Sequence, residues 1–426
     1  MKLNIKKTLI CGVPFLTIML LWQVYNWMVP LYLNDFLAEK ISADKMVIGI
    51  IMSLDNLFAL FMIPLVAKLS DNCKSKLGRR KPYIIVGIIL SAIFFMAIPF
   101  VHESGNIWLL ILNILIILIS MNVYRAPAVA LMPDITPEAQ RNKANSLINI
   151  LGGVGTALGF LLLILFKNNN EKIVFAFTSG LMILCLIYII FCLKERKFVE
   201  EYQQANHEEI EEHIEKLDDN RVDSKKDIIK MLIGILFFFM SINAVETFMS
   251  LYADEVFKGA TSLPFGMDPG ALAIVPFGIG CFAFSVPAAI LADKFGRKIV
   301  VIIGALVVAL AYGGITIVSF TCGSVDTMLL LFLVFFLIGG FAYACVIINI
   351  LPMVLEYSNV NNTGKYTGHY YTASMVAQSI TPALAGLLLS KFVLNSMKFL
   401  FPYAMLFILL SIVAFALVGK KKIIKE

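Results

Sequence analysis

The sequence predicts an all-α integral membrane protein with twelve transmembrane helices. Of its 426 residues, 59% are hydrophobic and 15% are charged, and the mean hydropathy is +0.86. A water-soluble protein of this length could not bury so much apolar surface in one or two cores. Lipid is therefore the expected solvent for most of the chain.

Twelve apolar stretches are each long enough to cross about 30 Å of hydrocarbon as a helix. The first continues through Trp22 and Pro30 with no small-residue cleavage site, which argues against a cleaved signal peptide. The expected spans are residues 10–33, 46–69, 82–101, 106–131, 144–166, 172–193, 229–253, 270–292, 298–319, 326–352, 367–390 and 398–419.

The distribution of Lys and Arg predicts the orientation. If both termini lie on one side, that side carries 27 of the 35 basic residues, the opposite side carries 7, and Arg125 falls inside a span. Cytoplasmic loops carry an excess of Lys and Arg, so both termini are expected in the cytoplasm, with the protein in the plasma or inner membrane. The C-terminal lysines 420, 421, 422 and 425 are expected to contact anionic lipid headgroups, and no nucleic acid is expected as a partner.

The long hydrophilic segment Lys194–Asp227 separates six spans from six. The predicted domains are an N-terminal six-helix bundle (1–193), a cytoplasmic linker (194–228) and a C-terminal six-helix bundle (229–426). The Glu and Asp run of the linker could form a short solvated helix, but a flexible linker is the simpler interpretation. The seven cysteines have no metal-ligand spacing, so neither a metal site nor disulfides are expected.

The two halves carry matching turns. LSDNCKSKLGRRKP follows span two and LADKFGRKIV follows span eight, which places Asp71 and Asp293 222 positions apart. The same offset links Asp134 to Glu356. Two matches at one offset indicate an internal duplication. Six plus six helices with a parallel repeat are typical of transporters whose halves rock around a central substrate site.

The charged residues at these turns are candidates for a cytoplasmic latch that holds helix ends together in one state and releases them in another. Asp71 is expected to pair with Arg79 or Arg80, and Asp293 with Arg297. The alternative is that these residues only anchor the topology and solvate a turn. The latch candidates are Asp71, Arg79, Arg80, Asp134, Arg141, Asp293, Arg297 and Glu356.

The stretches SDNCKSKLGRRKP and ADKFGRK resemble the loop signature of the major facilitator superfamily, and the six-plus-six layout extends this resemblance over the whole chain. YRAPAVALMPDITPEAQRNKANSLINILGGVG and SKLGRRKPYI resemble the sucrose/sugar-proton symporter branch, which is related to the glycoside-pentoside-hexuronide cation symporters. The resemblance implies the major facilitator fold and proton-coupled or sodium-coupled uptake of a glycoside. Val129 stands where plant sucrose transporters have Arg, and Arg125, one helical turn earlier, is on a similar face.

Three ionisable residues fall well within spans: Asp55, Arg125 and Glu246. Each would cost about 2.5–3.5 kcal/mol at the bilayer centre if it faced lipid, so a cavity or a partner is expected. Asp55 and Glu246 are the candidates for proton or cation coupling, because a protonated carboxyl is cheap to enclose and an ionised one is costly. With amide oxygens from Asn56 and Asn243, the same acids could instead hold Na⁺.

Each of these residues also has a structural interpretation. The role of Asp55 could be purely structural, with a hydrogen bond to a neighbouring helix that holds the bundle together. Arg125 could extend to the cytoplasmic interface or pair with Asp134 or Glu356.

A stripe in span one, LLWQVYNWMVPLY, has the aromatic faces and amide groups that bind sugars. Its candidates are Trp22, Gln23, Tyr25 and Asn26, and the alternative is an interfacial aromatic belt. Arg125 is a candidate for gating or substrate contact. Further substrate candidates are Asn122, Asn243, Tyr343, Asn349 and Gln378.

The glycine run LGGVGTALG lies in an apolar span and lacks the G-x-G-x-x-G spacing, so it predicts close helix contact, with ITPALAGLL as its counterpart. With no phosphate loop and no nucleophile or metal set, neither an enzyme nor an ATP-driven pump is expected, and no cofactor beyond the coupling ion.

The sequence thus favours a monomeric secondary transporter that imports a sugar, such as a disaccharide or other glycoside, by proton symport. Sodium-coupled symport and export of amphipathic compounds remain alternatives. A membrane sensor that binds a sugar without moving it is a third, which the short terminal tails disfavour.

Overall fold

The computed structural model describes residues 4–38, 40–136, 140–168, 170–207, 225–261, 267–357 and 363–419. Within these ranges the protein is helical and contains no strand. The C-terminal lysines 420, 421, 422 and 425 and linker residues 208–224 lie outside the described residues.

Twelve of the helices are long and apolar enough to cross a membrane, which confirms the predicted number. The helices are α1 (Ile5–Leu37), α2 (Asp44–Asp71), α3 (Lys81–Glu103), α4 (Ile107–Ile135), α5 (Arg141–Phe166), α6 (Glu171–Cys192), α7 (Glu195–His207), α8 (Lys225–Val256), α9 (Pro269–Phe295), α10 (Arg297–Thr321), α11 (Val325–Leu355), α12 (Thr363–Leu389) and α13 (Leu400–Ala416). Several helices are longer than the predicted apolar stretch. The 33 residues of α1, for example, reach about 50 Å, whereas the hydrocarbon is about 30 Å thick, so the helix ends extend beyond it.

Contacts divide the chain into two units. Within the described residues, the first unit contains the chain up to Phe36, the stretch from Leu54 to His207, and Met267–Asp268; the second contains the rest. Helix α2 is therefore shared: it packs with the second unit up to Ser53 and with the first from Leu54 onward. In each unit we call the helix ends nearest the linker the linker face, and the opposite ends the far face.

The same helix pairs pack in both units. In the first unit α3 packs against α4 and α6; in the second α10 packs against α11 and α13. These are equivalent helices if the chain is a duplication of six membrane helices, because the linker helix α7 makes the helix numbers of the two repeats differ by seven. The packing thus repeats as the matched turns do.

Glycines bring neighbouring helices into close contact, as the two glycine-containing motifs predict. A Cβ atom on Gly155 of α5 would clash with the Leu16 carbonyl of α1, and one on Gly159 would press on the side chain of Gln23. In the second unit, a Cβ on Gly386 of α12 would clash with the Lys45 carbonyl at the start of α2. Small residues permit this backbone approach in membrane helices.

The first part of the linker is a helix bound to the first unit, so the expectation of a flexible linker is wrong for residues 195–207. The Lys7 ammonium of α1 pairs with Glu201 and lies 5.2 Å from the ring centroid of Phe198. The hydrogen bond from Lys7 lowers the pKa of Glu201 from its usual value. This contact therefore contributes stability at neutral pH and loses it as the pH falls through the lowered pKa.

Glu195 joins this helix to the turn between α2 and α3. Its buried carboxylate accepts the backbone N–H groups of Arg79, Arg80 and Lys81 at 2.8–3.1 Å. These N–H groups belong to the start of α3, where no intrahelical acceptor exists and a negative charge is favoured. The Lys81 ammonium in turn donates to the Ile190 and Leu193 carbonyls at the end of α6.

We expect Glu195→Ala to lower the free energy of unfolding by about 3 kcal/mol, because buried N–H groups lose a charged acceptor at roughly 1–3 kcal/mol each. Thermal unfolding of the purified protein in detergent measures this loss. Glu200→Ala, an exposed acid of the same helix, is the matched control and should leave the melting temperature within about 1 °C. Equal stability of the two variants would refute the capping role.

Candidate functional site

On the linker face of the first unit, Arg80 joins three helices. Its guanidinium lies 2.5 Å from Asp71 at the end of α2 and 3.1 Å from Asp134 in the last turn of α4. It also donates to the Ser70 hydroxyl at 2.5 Å. Arg79 lies 3.5 Å from Asp134 but is largely exposed, whereas the Arg80 side chain is only 6% exposed. Arg80 is thus the central residue of this network.

The second unit repeats only part of this arrangement. Arg297 at the start of α10 lies 2.5 Å from Glu356, which follows α11, just as Arg80 pairs with Asp134. The expected pair of Asp293 with Arg297 does not form: Asp293 is exposed, and no ion pair among the described residues includes it. The turn is short, because α9 ends at Phe295 and α10 begins at Arg297, and Arg297 pairs with Glu356 instead.

The latch candidates are therefore paired within units. Arg80, Asp71 and Asp134 all belong to the first unit, and Arg297 and Glu356 to the second. Arg141 enters no ion pair among the described residues, and its Nε is buried without a hydrogen-bond partner there. In this structure the pairs connect helices inside each unit.

Within the membrane region of the first unit, Asp55 is 6% exposed. It lies on α2 two residues after Ser53, about 16 Å along the helix from Asp44. It is close enough to Tyr25 of α1 for an electrostatic interaction. The predicted coupling acid is therefore enclosed next to the predicted aromatic stripe.

The α1 stripe divides between two environments. Trp22 is half-buried and stacks on Tyr25 with ring centroids 5.3 Å apart and an interplanar angle of 11°. The Tyr25 hydroxyl is buried and has no hydrogen-bond partner among the described residues. Gln23 instead packs its side-chain stem against Gly159 of α5. The half-buried Asn26 lies one turn after Trp22.

Helix α4 contributes two further candidates to the first unit. Asn122 is buried and donates to the Leu118 carbonyl at 2.9 Å, while its own Oδ1 has no partner among the described residues. Arg125 is half-buried, about 15 Å before the linker-face end of α4. It does not pair with Asp134, which binds Arg80, or with Glu356, which binds Arg297.

In the second unit, Glu246 and Asn243 lie one turn apart on α8. Glu246 is exposed between the buried residues Val245 and Thr247, while Asn243 is buried and its Oδ1 lacks a partner in the described part of the chain. Tyr343 of α11 is an electrostatic neighbour of Glu246 and stacks on Phe238 with centroids 5.9 Å apart.

The remaining candidates differ in their surroundings. Asn349 is buried and donates to the Ala288 and Cys345 carbonyls at 3.3 and 2.9 Å, so it connects α11 to α9. Gln378 donates to the Ser374 hydroxyl at 2.8 Å. Tyr370, which the sequence did not single out, packs edge-on against Phe239 near Tyr343. A tyrosine in the run TGHYYTAS was its only sequence signal.

The far face of the first unit contains a buried ion pair that the sequence did not predict. Lys167, directly after α5, lies 3.0 Å from Asp268, and the two side chains are 11% and 7% exposed. The Asp268 N–H donates to the Ile164 carbonyl at 2.9 Å, and the Lys167 ammonium lies 5.8 Å from the ring centroid of Trp27. An Asp-Pro step at a helix start signals a cap, but nothing local in the sequence signals a partner 101 residues away.

Family comparison identifies the fold. The model of the Major Facilitator Superfamily matches residues 15–275 and 259–424, which together cover nearly the whole chain. The protein belongs to the major facilitator superfamily. Members of this family are transporters, so the chain is a membrane transporter and not an enzyme.

The relatives of this chain include sugar transporters and multidrug resistance proteins. A sucrose transport protein, SUC4 of Arabidopsis thaliana, is 27% identical over 165 residues, 35% of this chain and 30% of that protein. Multidrug resistance protein MdtG of Escherichia coli is 24% identical over 352 residues, 80% of this chain and 77% of that protein. The sucrose transporter match thus covers less than a third of its relative.

Among solved structures, a D-xylose-proton symporter superimposes with a TM-score of 0.68 and 17% identity, covering 98% of this chain and 97% of the other. At this identity the superposition establishes the fold alone. The family match confirms the resemblance of the turn motifs to this superfamily, and the substrate has to be inferred from the residues of the site.

We expect Arg80→Met to destabilise the protein by about 3 kcal/mol, because Asp71 loses its ion-pair partner, Asp134 keeps only the exposed Arg79, and the buried Ser70 hydroxyl loses a charged donor. Arg297→Met removes a pair whose side chains are 34% and 36% exposed and should cost at most about 1 kcal/mol. Thermal unfolding of both variants compares the two repeats directly. Arg79→Met, at the exposed neighbour, is the control, and a loss equal to that of Arg80→Met would contradict the central role of Arg80.

Proposed function

We propose that this transporter imports a sugar, a disaccharide or other glycoside, by proton-coupled symport. The supporting observation is the α1 stripe of the first unit: the stacked pair of Trp22 and Tyr25 lies beside the enclosed acid Asp55. An aromatic face next to hydrogen-bonding groups and a carboxylate suits a polyhydroxylated ring. The sucrose transporter relative has the same class of substrate in its name.

Unpartnered polar atoms support a polar substrate. The Tyr25 hydroxyl and the Oδ1 atoms of Asn122 and Asn243 are buried without partners among the described residues. A buried polar atom without a partner costs about 1–3 kcal/mol, so such atoms are generally satisfied by water or a ligand. Sugar hydroxyls both donate and accept, so a sugar bound in the first unit would satisfy the Tyr25 hydroxyl and the Asn122 Oδ1 atom.

Proton coupling rests on the two acids. Asp55 is enclosed in the first unit, so its ionised form is costly there and its protonated form is not. Glu246 lies on the second unit beside Tyr343. In the proposed cycle a proton on Asp55 permits enclosure of the site, and its release on the other side opens it. The linker face is cytoplasmic in this scheme, as the excess of Lys and Arg predicts.

Export of amphipathic compounds is the second candidate function. The MdtG match favours it, since it covers 80% of this chain where the sucrose transporter match covers 35%. The polar groups of the α1 stripe favour a sugar, because an apolar substrate would leave them unsatisfied. Sodium-coupled symport uses the same acids and is separated from proton coupling by experiment.

Uptake into proteoliposomes tests the proposal. With the interior alkaline relative to the bath, a panel of labelled disaccharides and glycosides should include one that accumulates above its external concentration. Abolition by a protonophore indicates proton coupling, whereas dependence on an imposed Na⁺ gradient indicates sodium. Failure of every sugar to accumulate, together with extrusion of a lipophilic cation, would establish the exporter instead.

For the sugar that accumulates, Asp55→Asn should abolish uphill uptake while counterflow of labelled against unlabelled sugar continues. The amide stays neutral, so enclosure no longer requires a proton. Asp254→Asn, at an exposed acid near the far-face end of α8, is the control and should retain uphill uptake. Proton-driven accumulation by Asp55→Asn would remove Asp55 from the coupling role.

Trp22→Ala should weaken sugar binding about tenfold, since loss of a stacking aromatic costs about 0.5–1.5 kcal/mol beyond its buried area. The half-saturation concentration for counterflow measures this change. Trp108→Ala is the matched control, because Trp108 is 76% exposed at the start of α4. If both variants bind the sugar equally well, Trp22 is not a substrate contact.

A further inference from the structure

An apolar groove lies on the second unit, where α9, α10 and α11 meet. Its volume is about 430 Å³, within the roughly 300–1,000 Å³ typical of small-molecule pockets. Every lining residue is apolar, including Phe284, Phe295, Ile303, Val307, Ile338 and Phe341. None of the polar candidates of the proposed sugar site lines it.

The groove is a notch between closely packed helices. Its floor contains small residues: Gly304 of α10, with Ala342 and Cys345 of α11. A Cβ on Gly304 would come within 2.8 Å of the Cys345 Cβ, so this glycine permits the close approach of the two helices. The side chains of Phe295 and Ile303 also line the groove and are about half exposed.

The surroundings of the groove identify its occupant. All three helices are long and apolar enough to cross a membrane, and an entirely apolar opening on such helices suits hydrocarbon better than water. A notch with no polar lining in that environment is filled by hydrocarbon, because an unfilled void loses dispersion contacts on every side. An acyl chain is the hydrocarbon that the bilayer supplies.

Positive charge marks the linker-face end of the groove. The Lys294 ammonium lies 5.3 Å from the ring centroid of Phe295, which lines the groove, and no ion pair among the described residues includes Lys294. Lys298 directly precedes the groove residue Ile299 in the sequence, and its ammonium donates to the Ala416 and Val418 carbonyls near the end of α13, which carry no charge. Arg297 is neutralised by Glu356, and Asp293 is the one further acid on this turn.

We propose that this groove binds one acyl chain of an anionic phospholipid, whose phosphate lies beside Lys294 and Lys298. The apolar notch selects a lipid chain, and the two ammonium groups at its end select a negative headgroup over a zwitterionic one. The site is independent of the sugar site and of the coupling acids.

Native mass spectrometry of the intact protein, incubated with equal amounts of palmitoyl-oleoyl phosphatidylglycerol and phosphatidylcholine, tests the headgroup. The first bound lipid should be phosphatidylglycerol by about fivefold or more, as expected for basic side chains near a membrane surface. Lys294→Gln with Lys298→Gln should reduce the ratio to near one. Lys68→Gln, an exposed lysine near the linker-face end of α2, is the control and should keep it.

The notch itself is tested by Val307→Phe, which fills the groove from a half-buried position and should reduce retention of both lipids. Because this variant could fail to fold, a second measurement uses Ile303→Trp at an exposed wall position. Its fluorescence, after subtraction of the wild-type signal, should be quenched more by dibrominated phosphatidylglycerol than by dibrominated phosphatidylcholine. Equal quenching, or a lipid ratio unchanged in the double lysine variant, would overturn the proposal.

Discussion

Hydrocarbon offers no hydrogen-bond partners, and this constraint governs the protein. Backbone groups are satisfied inside helices, which leaves the helix ends as the places where N–H and C=O groups need external partners. Glu195 meets this need at the start of α3, and Lys81 meets it at the end of α6. The charged turns on the linker face are thus part of the fold's hydrogen bonding before they have any role in transport.

The duplication repeats the positions of the charged residues, but the ion pairs that they form differ in burial and in number of partners. Arg80 and Arg297 each join the start of one helix to an acid at the end of the next, and these acids, Asp134 and Glu356, are the pair that the 222-residue offset links. Arg80 is buried among Ser70, Asp71 and Asp134, whereas Arg297 has one half-exposed partner. The longer turn of the first repeat is the cause, since it lets Arg80 reach back to α2. Each pair lies inside one unit and connects helices of that unit.

Hydropathy predicts the twelve helices because each must cover the membrane thickness with apolar residues, and the glycine motifs predict close packing because backbones cannot otherwise approach. The aromatic stripe predicts Trp22 and Tyr25 as a pair, although it could not show that Gln23 turns toward Gly159. The partners of Glu195 and Lys167 lie about a hundred residues away along the chain. Such pairs depend on tertiary packing, for which local sequence carries no signal. The same packing makes residues 195–207 a bound helix.

Asp55 lies next to the boundary between the two units in the chain. The part of α2 up to Ser53 belongs to the second unit and the part from Leu54 onward to the first, so Asp55 is the second residue after the boundary. In the proposed mechanism the charge on Asp55 sets the cost of enclosing this part of the helix. In that mechanism a proton bound to Asp55 lowers the cost of enclosing the site, so proton binding and enclosure favour one another, which is the condition for coupling.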